Sequence, residues 1–320
     1  MMRKKPGQLL AYATFALMGA LLACGRTQLP EDLIPAECSV VVWLDWRTIS
    51  NDADLLRILN AEEAEASLKE LDISSHEITT WTIFAASVYE SETGAYQGVI
   101  LSGELEAHQV VQELEEAGCE QEKYQGDALV RSRTGDEWFV ALNNRMLAVG
   151  TDGALQAVLD VKRGRKEGLS HQPIYTRLDT CLSATGAPIR MWVLVPQHIR
   201  DMGMAGLEMG KAALDLMSLD FIGGLLGKIG IAQGLGLSIA HSGSVFPAQL
   251  MAMMKNEEAA SFIAGSLNLM KGIGTWLSHK TGAPERQTTG VDFRDMTVKR
   301  YREVVEVGMR LSHDDLFGTL

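Results

Sequence analysis

The chain has 320 residues, 46% hydrophobic and 22% charged, the proportions of a folded globular protein long enough for one large core or two ordinary ones. Against 29 Lys and Arg stand 41 Asp and Glu, a formal net charge of −12 that repels phosphate backbones and argues against nucleic acid as a partner. An acidic body is equally ill-suited to lying flat on an anionic lipid surface.

The first 24 residues, MMRKKPGQLLAYATFALMGALLAC, have a cationic start (Arg3, Lys4, Lys5), an apolar run from Leu9 to Ala23, and then Cys24. That is the three-part layout of a secretory signal peptide. The apolar run is about 15 residues, short of the ~20 that a spanning helix needs. Small residues, Ala20 and Ala23, stand near its end, and Leu21-Leu22-Ala23-Cys24 resembles the lipobox of bacterial lipoproteins, with Leu22 a less usual choice at its position. The resemblance implies cleavage before Cys24, a diacylglyceryl group on its sulfur and acylation of its new amino terminus. Residues 1–23 are then a leader and Cys24 is the lipidation site. One acyl chain holds a protein only marginally, whereas two or three hold it stably. Gly25 follows in place of the Asp that marks inner-membrane retention in enteric lipoproteins, so the resemblance favours the outer membrane. Loss of the leader takes the chain to 297 residues and its charge to −15.

Residues 24–35 read as a lipidated tether with two prolines, Pro30 and Pro35. A first α+β half is expected over 36–167. It opens with a β-branched and aromatic strand, Ser39–Trp46, then a helical region from Asp52, a plausible N-cap, to Leu71. Thr79–Tyr89 and Tyr96–Ser102 read as a hairpin around Glu90–Gly94. A helix over Glu104–Ala117 carries Ala107, Val110, Val111 and Leu114 at i, i+3, i+4 and i+7, with Gly118 as its stop. Two strands, Asp127–Arg133 and Glu137–Val149, and a helix, Gly153–Val161, complete the half. The charged run Lys162–Gly168 reads as a linker.

A second half, 168–320, repeats the order. Pro188–Val195 is a strand whose Trp192 corresponds to Trp43, followed by a long helix over Gln197–Leu219. Gly230–Ser242 and Phe246–Met254 match the hairpin. Asn256 caps a helix running to Met270, with Ala259, Phe262, Ile263, Leu267 and Met270 as its inner stripe. A polar loop over Thr281–Thr289 leads to strands Val291–Arg300 and Val304–Leu311, and His313–Leu320 ends the chain as a short helix. The expected class is α+β: two similar halves, each a mainly antiparallel sheet with helices on one face, joined either edge to edge or face to face.

Chemical motifs are scarce. There is no G-x-S-x-G elbow, and Gly223-Gly224-Leu225-Leu226-Gly227-Lys228 lacks both the P-loop spacing and a Ser or Thr after the lysine. Seven histidines (His76, His108, His171, His198, His241, His279, His313) show no metal-ligand spacing, and His108 is expected partly buried beside an apolar stripe. Asn51, Asp52 and Asp54 faintly suggest a calcium loop, but helix capping explains them better. Asp45, between Trp43 and Trp46, could bind a ligand; ending the strand is the favoured reading, since no partner acid or base is visible. Besides Cys24, the cysteines Cys38, Cys119 and Cys181 allow a single disulfide with no basis for choosing its partners. Methionines crowd the second half (Met202, Met204, Met209, Met217, Met251, Met253, Met254, Met270), as ordinary core or as the lining of an apolar groove.

With its proline-led first strand LIPAECSVVVWLDWRTI and tandem halves, the chain downstream of Cys24 resembles a diffuse group of uncharacterised exported bacterial proteins, a likeness that transfers no functional residue. The expected function is a membrane-anchored, non-catalytic binding or scaffolding lipoprotein of the cell envelope, with no cofactor. Its partners would be membrane lipid through acylated Cys24 and an unidentified envelope protein. The alternative is a carrier or sensor of a lipid or other apolar ligand; an enzyme ranks third, because no acid–base or nucleophile constellation assembles.

Overall fold

The fold was read from a computed structural model, which describes residues 29–59, 68, 73–86, 94–133, 135–195, 232–281 and 296–312. Cys24, the expected Gln197–Leu219 helix with Met202, Met204, Met209 and Met217, the glycine run at 223–228 and the C-terminal helix lie outside these residues, as does most of 60–71.

The described strands are β1 (Val40–Asp45), β2 (Ile78–Ala86), β3 (Tyr96–Gly103), β4 (Gln121–Tyr124), β5 (Asp127–Arg131), β6 (Trp138–Asn143), β7 (Met146–Gly150), β8 (Ile189–Leu194), β9 (Ala232–Ile239), β10 (Val245–Met254), β11 (Thr297–Tyr301) and β12 (Val304–Ser312). They form one antiparallel sheet in the order β11-β12-β10-β9-β8-β1-β2-β3-β7-β6-β5-β4. Outward from the centre the order is β1-β2-β3-β7-β6 on one side and β8-β9-β10-β12-β11 on the other, so the connections run alike, with β4 and β5 an added hairpin at one edge. The two runs meet edge to edge at β1·β8. Trp43 lies opposite Arg190 and Trp192 opposite Val41, the arrangement that a two-fold axis between the strands would give.

The α+β class is the expected one, but helices cover both faces. Side chains alternate across a strand, and β1 and β8 are apolar on both sides. Leu44, Met191 and Val193 face one core, which also takes the short helices α1 (Trp46–Ile49) and α2 (Ala53–Ile58), with α3 (Ala107–Glu116) and α6 (Glu257–Thr281). Val41 and Trp192 face the other, closed by α4 (Asp152–Lys162), α5 (Pro173–Ser183) and the turn Pro30–Leu33.

Several elements differ from expectation for local reasons. Glu137–Val149 is a hairpin, β6–β7, because Asn143 Oδ1 accepts the Arg145 amide at 2.8 Å and turns the chain. β4 is an all-polar edge strand with no apolar alternation to reveal it. The helix α5 was not expected, although Pro173 sits at its first position and Tyr175, Leu178 and Leu182 follow at helical spacing. In α6, Asn256 Oδ1 accepts the Ala259 amide at 2.8 Å, as expected. The phase this cap sets turns Ala260, Ile263, Ala264 and Leu267 inward and leaves Phe262 exposed. Residues 30–35 belong to the body rather than to a tether: Leu33 and Ile34 are buried, and Pro35 bridges to Gly168, so the expected linker is packed at its end.

Candidate functional site

Asp45 ends β1. Its carboxylate accepts the Thr48 amide at 3.2 Å and the Thr48 hydroxyl at 2.8 Å, capping α1, which is the favoured of its two readings. Cys38, Cys119 and Cys181 stand apart as thiols, none joined in a disulfide. His108 is exposed on α3 rather than part-buried, because the stripe beside it turns Ala107 and Val111 inward.

The grouping that the sequence did not bring together is Asp52, Asp54 and His241. One oxygen of Asp52 caps α2, accepting the Asp54 and Leu55 amides at 3.1 Å each, as its sequence position suggested. Its other oxygen lies 2.6 Å from Nδ1 of His241, which arrives from the β9–β10 turn, 189 residues further along the chain. His241 Nε2 stands 3.6 Å from Asp54 Oδ2. The ring stacks on Phe246, centroids 4.6 Å apart, and Phe246 itself is buried, so the imidazole has a fixed plane. Burial pushes the Asp52 carboxyl up, but the hydrogen bonds from His241 and the two amides outweigh it and hold it below the ordinary aspartate range. The hydrogen bond to Asp52 raises the His241 imidazole above its ordinary value, against a smaller opposing effect of burial. Chemically this is an oriented imidazole between two carboxylates. Among the described residues it makes no hydrogen bond to a serine or thiol side chain.

A second polar cluster sits on the α5 face of the β1·β8 seam. The Arg190 guanidinium lies 3.8 Å from the Trp43 ring centroid and 5.6 Å from that of Trp192, and 3.5 Å from Asp179. Tyr175 packs against Trp192 with centroids 5.4 Å apart. Burial raises the Glu31 carboxyl, partly offset by its own backbone amide and the Arg190 charge.

A groove of about 960 Å³ opens between α5 and the β10–β12–β11 face, lined by Arg177, Cys181, Met251, Lys299, Tyr301 and Val304 among others.

No protein-family model matches the chain, and no curated protein does either. Solved structures of TP0453 are similar in fold. Crystal form IV superposes with a TM-score of 0.50 at 10% identity, covering 92% of this chain and 96% of that one. Form III gives 0.49 at 10%, covering 92% and 100%, and form I gives 0.47 at 11%, covering 91% and 96%. At this identity the likeness concerns the fold alone.

Proposed function

We propose that this chain is an exported lipoprotein, anchored through acylated Cys24, whose sheet domain is a non-catalytic binding or scaffolding module at the cell envelope. The observation that carries the reading is the leader ending in Leu21-Leu22-Ala23-Cys24. Two structural facts support it. No described helix is long and apolar enough to cross a membrane, which is compatible with attachment through the cysteine. Pro30 is already buried in the body, so at most residues 25–29 separate the body from Cys24. At about 3.3–3.6 Å per residue they reach no more than about 18 Å, which would hold the sheet close over the lipid headgroups. Replacing Cys24→Ser should abolish labelling by palmitate in the native host and move the protein from the membrane to the soluble fraction. Persistent labelling of that variant would refute the anchor, and crosslinking in the same cells would identify the partner.

The groove beside α5 favours a second reading, a carrier of an amphiphile. Met251, Tyr301 and Val304 offer apolar surface in the same groove as Arg177, Lys299 and Arg302. Native mass spectrometry of the protein from its own membranes tests this, and a consistently empty protein would dismiss the carrier.

A further inference from the structure

We propose that Asp52, Asp54 and His241 form a binding site for a divalent transition metal of the zinc class. His241 Nε2 and Asp54 Oδ2 bind the ion, and Asp52 orients the imidazole from behind. The inference concerns the folded body and is independent of the lipid anchor.

The division of roles follows from which atoms are already used. Nδ1 of His241 is committed to Asp52 at 2.6 Å, and the remaining Asp52 oxygen is committed to the α2 cap. A histidine that ligates a metal through one nitrogen characteristically donates its other N–H to a carboxylate, which fixes the tautomer and makes the ligating nitrogen more basic. Nε2 is thereby left as the ligating atom. It is shielded from solvent and meets no partner at good hydrogen-bond geometry among the described residues, although the Gly243 backbone lies close enough to the imidazole to favour its protonated form. A buried ring nitrogen of this kind calls for an explanation. Its neighbour is Asp54 Oδ2 at 3.6 Å, too far for a hydrogen bond. That separation suits two donors that each stand ~2.0–2.2 Å from one tetrahedral ion. All three residues offer ligand atoms within 4.8 Å of one another. Asp54 is 41% exposed and His241 16%, so the ion would enter past Asp54 and meet a ring held still by Phe246. Mixed imidazole and carboxylate donors suit zinc, manganese or cobalt better than calcium, which takes oxygen alone. Two protein donors leave the other positions to water, so the site is exchangeable. On binding, the Nε2 lone pair goes to the metal and any proton there passes to solvent, while Nδ1–H stays on Asp52.

The test is calorimetric titration of Zn²⁺ into the full chain stripped with EDTA, repeated with Co²⁺ while its visible absorption is followed. One site is expected for wild type. Asp54→Asn and His241→Gln should lose it, and Asp52→Asn should weaken it about 10–100-fold. Asp54 is 41% exposed and the α2 cap is Asp52, so Asp54→Asn should stay folded, with its metal-free melting curve as the control, and remains decisive if Asp52→Asn unfolds α2. No heat of binding in wild type, or equal affinity in Asp54→Asn and His241→Gln, would overturn the site. Equal affinity would assign the metal to the thiols Cys38, Cys119 or Cys181 instead.

Discussion

At the scale of single residues, the contact between Asp52 and His241 couples stability to pH in both directions. The imidazole is raised in the folded state, so its share of stability is fully present below the ordinary histidine value of about 6.5 and is lost as pH climbs through the raised one. The Asp52 carboxyl is lowered, so its share is present above the ordinary aspartate value of about 3.9 and is lost as pH falls through the lowered one. The pair therefore contributes most between about pH 4 and 6.5. Urea denaturation in EDTA should show the largest gap between wild type and His241→Gln in that window and a smaller gap at pH 9. A gap that does not change with pH would mean that His241 acts only by packing on Phe246.

Among the elements, α5 and β9 explain the glycine-rich sequence GIAQGLGLSIA. Gly234 and Gly236 lie on the β9 face that α5 crosses. A Cβ at Gly234 would stand 2.7 Å from Ile174 Cγ2, and one at Gly236 would stand 2.8 Å from Leu182 Cδ1. The helix sits so low on the strand that a side chain there has no room, a close approach that glycine serves in strands. Gly236→Val should therefore destabilise by about 1–3 kcal/mol, the usual cost of overpacking, despite the better strand propensity of valine. Thermal melting of the variant measures it, and an unchanged or raised midpoint would show that α5 can lift without cost. These same residues mark what was legible in the sequence. β9 is readable from its apolar run, and Asn256 and Gly118 mark helix ends through local chemistry. α5 was signalled by Pro173 and its stripe, yet its reason for lying where it does resides in two glycines more than fifty positions away. The site was less legible still. Asp52 could be read as a cap, because capping is a contact between residues 2 and 3 apart. Nothing local ties it to His241, which reaches it only because β9 and β10 lie on the far side of the β1·β8 seam.

For the molecule as a whole, that seam decides whether two similar runs of strands behave as one body. Each run presents a central strand, β1 or β8, that would be an open edge without the other, an arrangement that invites unwanted pairing. Both cores continue across it: Leu44 and Met191 lie in one, Val41 and Trp192 in the other. His241 crosses the seam on one face, and on the other Arg190 of β8 lies over Trp43 of β1. With no layer boundary at the join, unfolding one run exposes the buried face and edge of the other, so the two should unfold together. Trp192 is the probe of choice, fully buried opposite Val41 and packed on Tyr175 of α5. Trp192→Ala should cost about 3–5 kcal/mol. Because the loss sits at the join, the denaturation curve should shift as a whole, with circular dichroism and the fluorescence of Trp138, remote on β6, moving in step. If Trp138 kept the wild-type midpoint while the ellipticity split into two steps, the runs would be separable domains and the seam merely a contact between them.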